Sequence, residues 1–148
     1  MEKVVSKSVS RLAAVQFAYQ IELTKEPLTE SIESFISNYI KANEDFKDIN
    51  LSFFKKLARN LVNSEILDSK IEDSLKTGEK LTCLPILELS ILRIAVIEMM
   101  YEKTDIPVII NEYIEISKHF LDTNVTRFMN ALLDSLSKNI ERQCLAKI

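Results

Sequence analysis

The side chains best placed to do chemistry in this chain are a short basic series near its start and a polar turn near its end. Lys3, Lys7 and Arg11 are spaced by four, and Glu2 is the only acid before Glu22. Positive charge at helical spacing can neutralise phosphates along one strand of a nucleic acid, although an ordinary solvated segment has the same composition. Tyr19 lies farther along the same stretch and can stack on an unpaired base; a half-buried ring at a helix edge is the plainer alternative. Asn124 and Arg127 stand where a late helix begins, and there free backbone N–H groups and the helix dipole favour a phosphate, with simple capping as the alternative.

Catalytic chemistry is poorly supplied. Glu112, Glu115 and His119 fall on one helix face, as in a carboxylate–histidine metal cluster, but a di-iron bundle needs two Glu-x-x-His pairs and the chain has one His. There is no glycine-rich phosphate loop and no Cys/His motif pairing a nucleophile with a base. A non-enzymatic protein with no catalytic residue, no metal and no cofactor is expected. Cys83 and Cys144 lack metal-ligand spacing, and no basic start leads into an apolar run of signal-peptide length, which predicts a reduced, cytoplasmic setting.

Helices must position these groups. With 148 residues, 47% of them hydrophobic, and a single Gly, the chain suits one domain that buries roughly two-thirds of its unfolded surface. Val9, Leu12, Ala13, Gln16 and Phe17 give a first helix over about Ser8 to Leu23, capped by Ser6 or Ser8. Ile32, Phe35, Ile36, Tyr39 and Ile40 give a second, and a third segment runs from Leu51 through Leu57, Leu61, Ile66 and Ile71 toward Gly78. Its apolar stripe shifts phase, so it reads as one helix or two. Past Pro85, Ile86 to about Lys103 is apolar nearly all round, as in a central helix, yet too interrupted by Glu88, Arg93 and Glu98 and too short of the ~20 apolar residues a membrane span needs. Arg93 and Glu98 are expected to be paired inside. Asp105 and Pro107 open a surface helix with Ile109, Tyr113, Ile116 and Phe120 on its apolar face. Val125, Phe128, Met129, Leu132, Leu133, Leu136 and Ile140 then face a core in the last helix, capped by Asp122 or Thr123. Asn111 and Asn130, beside apolar residues, are expected to form internal hydrogen bonds. The fold class is therefore all-α with about six to seven helices in two packed sub-bundles of a single domain, about 1–80 and 81–148. The net charge of −3 leaves any RNA binding to a local patch.

Several segments carry a resemblance to a known family. AAVQFAYQ (Ala13 to Gln20), ILELSILRIAVIEMMYEKTDIP (Ile86 to Pro107) and IINEYIEISKHFLDTNVTRFMNALLDSL (Ile109 to Leu136) stand in the order seen in the bacterial NusB family of transcription antitermination factors. The resemblance implies an RNA-binding adaptor that holds the boxA element of ribosomal RNA transcripts together with NusE, a small-subunit ribosomal protein, within the transcription elongation complex. It implies RNA contacts from the basic motif, where Lys7 and Arg11 occupy family positions and Ser8 and Val9 replace further arginines, and from the turn Leu121 to Arg127, where Asn124 stands at an often acidic position. Glu88 would face NusE, and Ala131 replaces a common glycine. Two rivals remain: a helical protein-interaction module without RNA, and a free-standing relative of the domain at the front of certain ribosomal RNA methyltransferases. A homodimer is left open, because a buried face and a self-complementary surface look alike in one dimension.

Overall fold

Ser6 opens the first helix, accepting the Val9 N–H on its hydroxyl at 3.2 Å, so that α1 runs Lys7–Thr24. The computed structural model describes residues 5–76 and 79–140. Within them, the remaining α-helices are α2 (Leu28–Phe35), α3 (Leu51–Arg59), α4 (Ser64–Ser74), α5 (Ile86–Tyr101), α6 (Ile106–Phe120) and α7 (Thr123–Asn139). The fold is all-α, and among the described residues the only β-type pairing is an isolated bridge between Ser6 and Ile49.

The chain divides into two compact units, Met1–Val62 and Asn63–Ile148. The division falls before α4, earlier than the sequence boundary near residue 80. Leu67 and Ile71 of α4 are fully buried, and α4 packs on α5 and α7, which ties it to the second unit. The phase shift in the apolar stripe marks the change: α3 ends at Arg59, a 3-10 turn covers Asn60–Asn63, and α4 starts afresh with Leu67 inward and Ile66 48% exposed. Gly78 lies outside the described residues, and α4 ends sooner, with Leu75 as its cap.

In the first unit, α1 packs on α3 and α2 around an aromatic cluster. Phe17 meets Phe35 and Phe54 edge-on at 5.2 and 6.0 Å, and Phe35 stacks on Phe54 at 5.8 Å. The starts of α1 and α3 are tied together. Ser10 Oγ donates to the Asn50 carbonyl at 2.8 Å and accepts the Asn50 N–H at 3.0 Å, while Asn50 Oδ1 caps α3 by accepting the Phe53 N–H at 3.1 Å. The second stripe does not stay α-helical: Ile36–Ile40 widens to a π turn, and Tyr39 ends at the rim, stacked on Phe35 at 4.8 Å.

In the second unit, α5 is buried on nearly every side, with α4, α6 and α7 against it. Two of its buried charges, Arg93 and Glu98, are hydrogen-bonded as their apolar setting demands. Arg93 donates through Nε and Nη2 to the two carboxylate oxygens of Asp68, both at 2.8 Å, and the Tyr113 hydroxyl donates to Glu98 at 2.8 Å. Two side chains expected inside are not: Phe120 is 38% and Phe128 36% exposed, and Thr126 takes the buried place on α7. Asn111 and Asn130 are also exposed, not internal, and Ala131 faces outward, so its methyl group needs no room in the core.

Candidate functional site

Two surface patches and one buried acid carry the site residues expected from sequence. Lys3 lies outside the described residues. Lys7 opens α1 and is exposed, but Arg11, one turn on, is 3% exposed. The reason is visible along that face, which continues to Ala14 and Val15, both fully buried. Lys7 Nζ and the Arg11 guanidinium sit 5.0 and 5.3 Å from the centre of the Phe53 ring, a shared cation–π contact. Arg11 is therefore not the surface phosphate ligand that its spacing suggested; it packs at the α1–α3 seam. Tyr19 is 39% exposed, as a stacking residue must be. It lies roughly 18 Å along the helix axis from Lys7 and about a third of a turn round it, at 1.5 Å and 100° per residue, so α1 does not bring the two onto one face.

The turn between α6 and α7 is better assembled. Asp122 caps α7 by accepting the Val125 N–H at 2.9 Å. Asn124 and Arg127 follow in the first turns, and both are exposed. Phe128 is four residues after Asn124 and so shares its face, while Arg127 is turned about 100° from Phe128 and lines the groove between α6 and α7. Phe120 closes α6 on the other side of the turn, its ring edge-on to His119 at 4.9 Å. A guanidinium, an amide and two accessible aromatic rings thus flank one turn along the chain, residue types that suit phosphate binding and base stacking. The sequence reading missed both rings because the apolar stripes absorbed them. The available signal was their position at the stripe edges, flanking a polar turn.

Glu88 is in the first turn of α5, only 8% exposed, which differs from the open partner-facing position expected. Burial pushes its carboxyl above the ordinary range, and the nearby Asp122 carboxylate pushes it the same way. The acid at the start of α5 and the cap of α7 are thus electrostatic neighbours.

Comparison with known proteins converges on one family. A model described as the NusB family matches residues 8–138. A transcription antitermination protein NusB from Clostridium perfringens (strain SM101 / Type A) is 38% identical over 137 residues, covering 89% of this chain and 96% of that protein. The NusB of Caulobacter vibrioides is 32% identical, over 93% of this chain and 95% of its own. Among solved structures, NusB of T. maritima superposes with a TM-score of 0.80 at 24% identity, covering 98% of this chain and 99% of that one. NusB in a complex of NusB and NusE with dsRNA superposes at 0.74, also at 24% identity, over 89% and 96%. With that match running from the first helix through the last, the chain belongs to the NusB family.

Proposed function

We propose that this protein is a non-catalytic transcription antitermination factor of the cytoplasm that binds boxA RNA of ribosomal RNA transcripts jointly with NusE and acts within the transcription elongation complex. The observation that supports this reading is the α6–α7 turn, flanked by the exposed Arg127, Asn124, Phe120 and Phe128, in a chain whose relatives are named transcription antitermination proteins. A solved assembly of NusB and NusE with dsRNA supports RNA and NusE as the two partners. The role of the first helix narrows to Lys7 and Tyr19, because Arg11 is occupied by packing.

Glu88 supports a cationic partner group near the start of α5. Two acids of like charge, one of them largely buried, raise each other's free energy, and a basic side chain placed against them offsets that repulsion. The burial of Arg11 favours a second reading, a helical interaction module that binds NusE without RNA. Titration of boxA single-stranded RNA with the protein alone and with NusE decides. The first reading predicts weak binding alone, strengthened by NusE. RNA affinity unchanged by NusE would leave a free-standing RNA-targeting domain, and no RNA binding in either case would leave the interaction module.

A further inference from the structure

Helices α6 and α7 form an antiparallel hairpin joined only by Leu121 and Asp122. Along it runs a groove of about 960 Å³ that shares Arg127 with the proposed RNA cluster described above. Its α6 wall is an isoleucine ladder, Ile106, Ile110 and Ile114, one turn apart and each only partly covered. Its α7 wall is polar, with Thr126 and Asn130 at its centre. Lys118 and Arg127 stand at the end nearest the turn, with Lys118 paired to Glu115 at 3.2 Å, and Asp134 stands toward the other end, paired to Lys138 at 3.2 Å.

Thr126 supplies an independent sign that something binds here. It is 9% exposed, and its hydroxyl oxygen is buried with no hydrogen-bond partner among the described residues. A helical threonine commonly turns its hydroxyl to the carbonyl four residues back, yet the Asp122 carbonyl receives the Thr126 backbone N–H at 2.9 Å and not the hydroxyl. An unsatisfied buried hydroxyl is disfavoured unless a bound group completes it, and Thr126 lines the groove.

We propose that the α6–α7 groove docks an amphipathic helix of a protein partner, with apolar residues on the isoleucine ladder, an acidic end against Lys118 and Arg127, and an acceptor for the Thr126 hydroxyl. An RNA strand fits this groove poorly, because its apolar wall is aliphatic and its lining offers no ring for stacking. A second copy presenting the same groove would set two concave surfaces face to face and leave them unfilled. A helix supplies the ridge a groove needs, and about 15 residues span a wall the length of α6. Arg127 at the turn end favours a helix that brings its acidic end there.

The test uses the full chain and a synthetic helical peptide of about 15 residues, with leucines one turn apart, glutamates at one end and lysine at the other. The side-chain amide signals of Asn111 and Asn130, both in the groove wall, report occupancy by NMR. The expected result is saturable movement of both signals. Binding should weaken by at least about tenfold when lysines replace the peptide's glutamates, and similarly in Ile110→Asp. Thr126→Val, which keeps the side-chain shape, should weaken it about fivefold while the free protein stays folded. The proposal is overturned if the peptide does not bind, if the all-lysine peptide binds as well, or if Ile110→Asp binds it normally. It is also overturned if single-stranded RNA moves the same two signals, or if the protein self-associates in a way that Ile110→Asp abolishes. A failure to bind boxA RNA would not overturn the proposal, because Ile110 and Thr126 lie outside the proposed RNA contacts and Arg127 is the one residue the two surfaces share.

Discussion

A cation's spacing says where it could reach, and its burial decides whether it does. Lys7 and Arg11 have the same periodicity, but only Lys7 is on the surface, and the two share the Phe53 ring. Lys7→Ala should therefore lower the dependence of log RNA affinity on log salt by about 0.7, one single-strand phosphate contact, with folding unchanged. Arg11→Ala should instead cost about 1 to 2 kcal/mol of stability, through lost stacking and packing, in chemical denaturation. A salt slope that falls equally in both variants, with Arg11→Ala as stable as the parent, would return Arg11 to the RNA surface. Glu88 gives a pH signature. Its folded carboxyl titrates above the ordinary 4.5, through burial first and Asp122 second, so the ionised form disfavours folding at neutral pH. That cost declines as pH falls through the raised value toward 4.5. Glu88→Gln should accordingly melt at a higher temperature than the parent at pH 7, with the two curves converging in acid. A lower Tm at pH 7 would show that the carboxylate makes a stabilising contact.

Single elements explain which expectations held. The Asp122 cap sets where α7 starts, and with it the positions of Asn124, Arg127 and Phe128. Asp122→Ala should remove about 0.5 to 2 kcal/mol of stability by the usual worth of an N-cap, measured by urea titration, although relief of its repulsion on Glu88 will pull toward the low end. Hydrophobic periodicity showed the helices because most of them bury one stripe, and Ser6, Asn50 and Asp122 mark true starts because local hydrogen bonds decide caps. Stripe edges were harder. Phe120, Phe128 and Ile66 obey helical spacing yet lie outside the core, because a neighbouring helix covers only an arc, and the sequence of one helix does not state how wide that arc is. The burial of Arg11 depends on α3 packing beside α1, and the groove on Ile110 of one helix facing Thr126 of the next. Both are tertiary juxtapositions with no trace in a local pattern. The unit boundary was misplaced for a similar reason, since α4 is continuous with α3 along the chain but packs with α5 and α7.

For the whole molecule, the net charge of −3 means that no general attraction draws it to nucleic acid, so the proposed RNA binding rests on a local surface. Such a surface gives modest affinity by itself and gains by sharing RNA with a partner, which is the logic of an adaptor. Stacking on Phe128 should add about 1 to 3 kcal/mol without releasing counterions, so Phe128→Ala should weaken RNA binding at every salt concentration and leave the slope unaltered. The central claim is joint recognition of boxA with NusE. Its most direct measurement is fluorescence anisotropy of labelled boxA RNA titrated with an equimolar mixture of this protein and NusE, against the same RNA with its boxA sequence scrambled. The account predicts that the mixture binds boxA at least about tenfold more tightly than either protein alone and more tightly than the scrambled RNA. Equal affinity for the two RNAs, or a mixture no tighter than its better component, would contradict it.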